Sequence, residues 1–299
     1  MRNTVAWFVM ALLFVGCSFS YAQEKINNIV AEKRVNPRLV KEWTKSVNKI
    51  NTVHSSTTYI VKKSGGKDYR HISKHRDAIV WIPGTTDLSK DLIVVYWFHG
   101  HWGYVPQRTF ENRTLKQFVP LVGKHNLVVV IPEMPWSVHT NTPTKRNSLL
   151  WQQPGSFLKF DKQVRTILVE HNLGNQLGAI DYKIVGHSAG GSTIKRLGLT
   201  GDLCELNPSD VVWSDSSYGR WLDAAWFGCL GLHPDIQVTV LVVKWDRPWK
   251  SATRFLSGLK PKPKNLVLKT LKRPKWNHKL IGDNSVKLSN LLGESNAVD

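Results

Sequence analysis

The sequence predicts an α/β fold, a doubly wound and mostly parallel sheet with helices on both of its faces. Strand-like and helix-like segments alternate along the chain, as in βαβ units with right-handed crossovers. Two of the strand-like runs, Leu92–Phe98 and Leu127–Ile131, are continuously apolar. Such strands are covered on both faces, which is typical of a parallel sheet between two helix layers.

The predicted strands begin with an antiparallel pair that is joined by a basic loop. In chain order the strands are Thr57–Lys63, Ala78–Pro83, Leu92–Phe98, Leu127–Ile131, Tyr182–Val185, Val211–Trp213, Val238–Val243 and Leu266–Leu271. A C-terminal helix follows five other predicted helices, Thr109–Lys124, Ser156–His171, Ser192–Leu199, Trp221–Cys229 and Ser251–Leu259. The apolar residues of Ser156–His171 fall on one stripe at helical spacing, which supports that assignment.

The segment Gly186-His187-Ser188-Ala189-Gly190 has the Gly-x-Ser-x-Gly pattern of a nucleophile elbow, a sharp turn between a strand and a helix. A β-branched run precedes it and a helix-compatible stretch follows it, as the motif requires. Such a turn strains the backbone of Ser188 and is expected to expose its hydroxyl. Side chains at 186 and 190 would collide with the neighbouring strand or helix. We therefore interpret Ser188 as a catalytic nucleophile.

A reactive serine needs a base that accepts its proton and an acid group that orients the base. Two histidines, His233 and His278, follow Ser188 in the chain. His278 comes after the last predicted strand, at the carboxyl edge where the sites of parallel sheets lie. His233 precedes a strand and would lie at the opposite edge. His278 is therefore the predicted base.

Two aspartates, Asp215 and Asp246, follow predicted strands at the same edge, and both keep the chain order Ser, Asp, His. We favour Asp215 as the acid because it lies in a compact polar turn whose hydroxyls can hold a carboxylate. Asp246 is the alternative. Its neighbours Arg247-Pro248 are more typical of an ion-paired surface turn.

The oxyanion of a tetrahedral intermediate needs main-chain donors. The N–H group of Ala189, the residue after the nucleophile, is the first one expected. The second should come from the loop after the third strand, Phe98-His99-Gly100-His101-Trp102-Gly103, and the main chain of His101 is predicted to supply it. No acidic cluster lies near His99 and His101 in the sequence, so no metal site is predicted, and no cofactor motif is found.

These segments resemble the α/β-hydrolase superfamily, specifically its exported bacterial members. The likeness depends on Tyr96-Trp97-Phe98-His99-Gly100, on the elbow at 186–191 and on His278, and it covers roughly residues 57–295. It implies a Ser-His-Asp triad and hydrolysis of an ester or an amide. The turn Asp215-x-x-Tyr218-Gly219 is similar to one in poorly characterised bacterial members, which adds weight to Asp215. The fold hosts many functions, so the resemblance implies no substrate.

Residues 1–22 are interpreted as a secretory signal peptide. Arg2 precedes an apolar run, Val5–Gly16, and small residues come before a cleavage site after Ala22. The run is too short to span a bilayer comfortably, so no transmembrane span is expected in the mature chain. We expect a periplasmic or secreted protein. A lipoprotein signal acylated at Cys17 is the less favoured alternative.

Two cysteines, Cys204 and Cys229, remain after removal of the signal peptide. An even pair in an oxidising compartment predicts a disulfide. The sequence has no Cys-x-x-Cys pair, so a zinc site built on cysteines is not expected.

Positive charge dominates the chain, with a net charge of +19. Residues 25–76 contain thirteen Lys or Arg against three acids, and residues 244–287 contain thirteen against two. Such a field attracts polyanions. For an exported protein these would be anionic glycans, cell-wall polymers or lipid head groups, and not nucleic acid. The predicted organisation is a signal peptide (1–22), a basic segment (23–56) and a catalytic domain (57–299).

Thirteen tryptophans are present, several of them on predicted loops at the carboxyl edge. Indole rings stack on sugars or line acyl pockets. Trp102 and Trp136 are therefore predicted to contact substrate, and Glu133 is a candidate to bind a substrate hydroxyl. Trp245, Trp249 and Trp276 lie on further loops at this edge.

The predicted function is that of an exported serine hydrolase that cleaves a carboxylic ester. An acylated or anionic glycan is a candidate for the molecule that bears this ester. The enzymatic alternative is an amidase or peptidase that uses the same triad. A different class is a non-catalytic binder of cell wall or polyanions on a hydrolase scaffold, which the basic N-terminal segment and the tryptophans favour.

Overall fold

The computed structural model describes residues 51, 56–61, 78–101, 113–132, 134 and 151–293. Eight strands in this part form one sheet in the order β1-β2-β4-β3-β5-β6-β7-β8. The strands are β1 (Thr57–Val61), β2 (Ala78–Ile82), β3 (Leu92–Phe98), β4 (Leu127–Pro132), β5 (Ile180–His187), β6 (Asp210–Ser214), β7 (Gln237–Val243) and β8 (Leu266–Leu271). β2 pairs antiparallel with β1 and β4, and all other neighbours pair parallel.

The described helices lie between and after these strands. They are α1 (Leu115–Phe118), α2 (Ser156–His171), α3 (Gly191–Thr200), α4 (Asp202–Leu206), α5 (Trp221–Gly228), α6 (Arg247–Gly258), α7 (His278–Asp283) and α8 (Ser285–Ser289). Short 3-10 helices cover Val119–Leu121, Ser188–Gly190 and Leu230–Leu232.

Most predicted elements are confirmed, and the differences have local causes. α2 has the predicted bounds. α6 begins at Arg247 instead of Ser251, because a proline in the first turn has its backbone angle already set for a helix. The predicted helix Thr109–Lys124 is shorter, since its described part is α helix only over Leu115–Phe118. The short helix α4 was not predicted.

Helices cover both faces of the sheet. Neighbouring residues of a strand point to opposite faces. On β3, the ring of Tyr96 packs against Phe157 and Phe160 of α2, with ring centroids 5.1 and 5.9 Å away. The next residue, Trp97, packs against Phe118 of α1 at 6.3 Å. The doubly wound sheet is thus confirmed, and its two covered faces explain why β3 is apolar throughout.

Cys204 of α4 and Cys229, at the end of α5, form the predicted disulfide. Within the described part of the chain, no helix combines the length and the apolar character that a bilayer span needs. Several predictions fall outside the described residues, namely the signal peptide with Cys17, nearly all of the basic segment, Trp102, Glu133 and Trp136.

Candidate active site

The elbow lies where β5 ends and the turn into α3 begins. Ser188 has a φ of +54°, a strained value for a residue with a side chain. Gly190 is required at the turn, because a Cβ atom there would lie 2.1 Å from the carbonyl oxygen of Phe98 on β3. The predicted close approach of the elbow to its neighbouring strand is thus confirmed. Ser188 as a whole residue is only 8% exposed, so most of its surface is covered by the chain.

The main chain after β3 passes directly beside Ser188. A Cβ atom at Gly100 would lie 2.7 Å from Ser188 Cβ and 3.2 Å from its Oγ. This contact is one reason why Ser188 is buried. It also brings the loop that was expected to supply an oxyanion donor next to the serine.

His99 fixes the orientation of that loop. Its Nε2 accepts a hydrogen bond from the main-chain N–H of Met134 at 2.9 Å, so the proton of the neutral ring is on Nδ1. The Nδ1–H group then donates to the carbonyl oxygen of Gly100 at 2.8 Å. The N–H of His101 belongs to the same planar peptide and points the opposite way. The side chain of His99 therefore holds this N–H group in one direction.

His278 and Asp215 are in direct contact, with 2.6 Å between Nδ1 and Oδ2. The side chain of Asp215 is 1% exposed, and that of His278 is 41% exposed. The N–H of Asp215 donates to the carbonyl of Leu241 at 2.8 Å, which fixes the aspartate to β7. A carboxylate at Nδ1 keeps the ring proton there, so Nε2 is free to accept a proton.

Asp246 does not contact His278 in this way. It precedes α6 and pairs with Arg273 at 2.7 Å, as an ion-paired surface turn would. The expectation that hydroxyls of the polar turn hold Asp215 is wrong. The hydroxyl of Ser217 donates to the carbonyl of Pro248 at 3.0 Å, and that of Ser216 has no partner among the described residues. The carboxylate of Asp215 is instead contacted by His278 and by the main-chain N–H of Val243 in β7.

His187, the residue before the serine, holds His278 in place. The two rings stack with centroids 4.7 Å apart, and Nε2 of His187 lies 3.1 Å from the carbonyl oxygen of His278. Burial lowers the pKa of His187 well below 6.5, and the charges of His278 and Arg113 lower this pKa further. His187 is therefore neutral at neutral pH and can donate from Nε2 to that carbonyl.

The same histidine is linked to α7. Its Nδ1 faces a guanidinium nitrogen of Arg113 at 3.5 Å, and Arg113 pairs with Asp283 at 2.7 Å. The elbow and the segment that carries His278 are thus held together by a polar network. Sequence reasoning did not assign a role to His187, and its position inside the elbow motif was the available signal.

Tyr218 is a second residue whose place was not predicted. Burial raises the pKa of its phenol to about 12, the charge of Asp215 raises it as well, and a hydrogen bond with the Ser188 hydroxyl lowers it. The phenol is therefore neutral near pH 7, and its oxygen lies at the serine hydroxyl. In the sequence, Tyr218 stands out only as part of the turn Asp215-x-x-Tyr218-Gly219.

No protein-family model matches the sequence, and no curated protein matches it significantly. The chain is similar to solved structures of hydrolases. They include a feruloyl esterase module from Clostridium thermocellum (15% identity, 76% of this chain and 86% of that chain, TM-score 0.48). A second is a fluorophosphonate-binding serine hydrolase of Staphylococcus aureus (14% identity, 81% and 99%, TM-score 0.48). A third is a dienelactone hydrolase from Anabaena variabilis (15% identity, 80% and 96%, TM-score 0.46). At these identities the three proteins do not indicate a substrate for this chain.

The strand order and the elbow after β5 form the α/β-hydrolase fold, as the sequence resemblance implied. The carboxyl ends of its parallel strands carry Gly100, Ser188, Asp215 and His278 to one edge of the sheet. Among the described residues, no group of three or more His, Cys, Asp or Glu side chains could hold a metal ion.

Proposed function

We propose that the protein is a serine hydrolase that cleaves carboxylic esters, with Ser188 as nucleophile, His278 as base and Asp215 as the acid that orients it. The observation that carries the proposal is the 2.6 Å contact between Asp215 and His278. It lies beside a strained serine, because the His278 ring stacks on the residue that precedes Ser188.

In the first half of the reaction, Ser188 Oγ attacks the carbonyl carbon of the ester while Nε2 of His278 takes the hydroxyl proton. The buried carboxylate of Asp215 stabilises the imidazolium that forms. The oxyanion accepts hydrogen bonds from the main chains of Ala189 and His101, and losing one such donor costs ~3 kcal/mol of barrier. The hydrogen-bonded phenol of Tyr218 orients Oγ before the attack.

The acyl-enzyme forms when His278 returns the proton to the leaving alcohol. Water then enters, gives a proton to Nε2 and attacks the acyl carbon. Nε2 passes that proton to Ser188 Oγ as the acid leaves, which restores the free serine. Overall, the reaction consumes one water molecule for each ester bond that is broken. An ester is the simplest substrate for this site, because the alkoxide that leaves an ester is far less basic than the amide anion that would leave an amide, so an amide depends more on protonation of its nitrogen by His278.

We also propose that the protein is exported, with the signal peptide at 1–22. The Cys204–Cys229 disulfide supports this, because disulfides persist mainly in oxidising compartments.

A fluorophosphonate probe, which reacts with activated serines, tests the proposal. We expect the folded protein to be labelled and Ser188→Ala to be unlabelled, and a set of chromogenic esters should be hydrolysed by the former alone. Ser192→Ala is the matched control, since Ser192 is also 8% exposed and follows the same elbow. Absence of labelling in folded protein would contradict the hydrolase and favour a non-catalytic binder.

A further inference from the structure

A cleft lies at the carboxyl edge of the sheet, between the segments that follow β7 and β8. Its volume is about 570 Å³, and it is lined by Lys244, Trp245, Asp246, Lys272 and Arg273. Sites for small ligands usually have volumes of about 300–1,000 Å³. The cleft is therefore large enough to hold a ligand group.

The segments that line the cleft lead to the proposed catalytic residues on both of its sides. Asp215 lies within 3.4 Å of the main-chain nitrogen of Val243, the last residue of β7, and Lys244 follows directly. On the other side, the connection 272–277 runs from β8 to His278, the first residue of α7. Because Asp215 and His278 are in contact, both walls of the cleft belong to segments that carry or contact this pair.

Trp245 is both exposed and strained. The residue is 65% exposed, and its φ of +73° is unusual for a bulky residue. The ring packs edge-to-face against Trp249, with centroids 4.7 Å apart, and the ammonium group of Lys244 lies 4.8 Å from its centroid. Strained residues of this kind cluster at functional sites. An indole that is held in place and remains exposed can contact a sugar ring.

The positive charge of the cleft is only partly compensated. Among the described residues that line the cleft, Asp246 is the one acid, and it pairs with Arg273 at 2.7 Å. The ammonium groups of Lys244 and Lys272 therefore contribute positive charge that no carboxylate of these described residues neutralises. The surrounding segment adds to this field, since residues 244–287 contain thirteen Lys or Arg against two acids. A ligand with a negative group is favoured here.

We propose that this cleft binds an anionic sugar residue of the substrate, with the indole of Trp245 against the ring and Lys244 and Lys272 at its acidic group. The inference deepens the proposed function and rests on it, because it assigns the cleft as a substrate subsite of that hydrolase. A uronic acid carboxylate and a sugar phosphate offer the same chemistry, so both are used as probes.

Binding is measured by calorimetry with the Ser188→Ala protein, which removes turnover. The ligands are a galacturonate trisaccharide, galactose 6-phosphate and a neutral galactose trisaccharide. We expect at least one anionic ligand to bind about tenfold more tightly than the neutral one, and the advantage to shrink as salt is added. The anionic ligand that binds more tightly shows whether the cleft prefers a carboxylate or a phosphate. Equal affinity for the neutral sugar, or no binding of either anion, would overturn the inference.

Substitutions of residues that line the cleft test whether the anionic sugar binds there. Lys272→Gln should weaken anion binding about threefold to fivefold, as loss of an exposed ion pair would. Trp245→Ala should weaken it about tenfold. The matched controls are Lys162→Gln, at an exposed lysine of α2, and Phe227→Ala, at a residue that is 70% exposed, and neither should change affinity. Equal losses in the controls would overturn the assignment.

Fluorophosphonate labelling of the protein with Ser188 intact separates the two proposals. If the protein is labelled but shows no preference for anionic sugars, the assignment of the cleft is wrong and the proposal of a hydrolase stands. If the protein binds anionic sugars but is not labelled, the proposal of a hydrolase is wrong. The assignment of the cleft as a substrate subsite is then wrong as well.

Discussion

Replacing Asp215 by asparagine changes which ring nitrogen of His278 carries the proton, while the shape of the side chain at position 215 is kept. In the native protein, Oδ2 of Asp215 accepts from Nδ1 of His278 at 2.6 Å, and the aspartate side chain is 1% exposed. An asparagine amide at that place can donate to Nδ1, which moves the ring proton to Nε2. The ring then cannot accept the proton of Ser188.

We expect kcat for a small neutral ester such as p-nitrophenyl acetate to fall by about 10³- to 10⁴-fold, as the corresponding change does in other triads. This corresponds to about 4 to 5.5 kcal/mol of barrier. KM should change little, because the ester does not contact the buried carboxylate. Thermal unfolding of the variant, compared with the native protein, shows whether the fold is retained.

Asp246→Asn is the matched control, because it removes the alternative acid. Asp246 pairs with Arg273, whose side chain is 65% exposed, and exposed pairs of this kind contribute at most about 1 kcal/mol. We expect kcat for the same ester to change less than about fivefold. If Asp246→Asn loses as much activity as Asp215→Asn, or more, the assignment of the acid is wrong.

Three further outcomes are expected. Tyr218→Phe should lower kcat by about threefold to tenfold at unchanged KM, because one hydrogen bond to the Ser188 hydroxyl is lost; an unchanged kcat would contradict this contact. The pKa of His187 is lowered in the fold, so below pH 6.5 the unfolded chain takes up a proton that the folded chain does not. Urea unfolding should therefore show stability falling by up to about 1.4 kcal/mol per pH unit below pH 6.5, and less steeply in His187→Gln; equal slopes would refute it. Protein produced from residue 23 should contain no free thiol, and reduction of Cys204–Cys229 should cost ~3 kcal/mol of stability; two free thiols before reduction would exclude the bridge.

The part of the fold that the sequence predicts well is the part that local pattern controls. The apolar run of β3 and the helical stripe of α2 were assigned with the observed bounds. Where short-range signals compete, the prediction was less accurate. α6 begins before Ser251 because Pro248 fits the first turn of a helix, although Arg247-Pro248 by itself is typical of a surface turn.

The candidate site was predictable only in its chemistry. The Gly-x-Ser-x-Gly pattern and the late histidine indicate Ser188 and His278 from the sequence. The choice between Asp215 and Asp246 depends on which carboxylate meets Nδ1, and the contact observed joins residues 63 positions apart. The elbow motif marks His187 in the chain, but its contacts with His278 and Arg113 join distant segments, as does the contact of Tyr218 with Ser188, and no local pattern reveals these contacts.

The sequence by itself determined the alternation of strands and helices, the elbow and the residue types that a serine hydrolase needs, because each depends on neighbours within a few positions along the chain. The tertiary structure alone decided which acid meets His278, what buries Ser188 and where the charges of the last third of the chain gather. These features arise where the carboxyl ends of parallel strands meet at one edge, and the distances across that edge are set by the packing of the whole sheet.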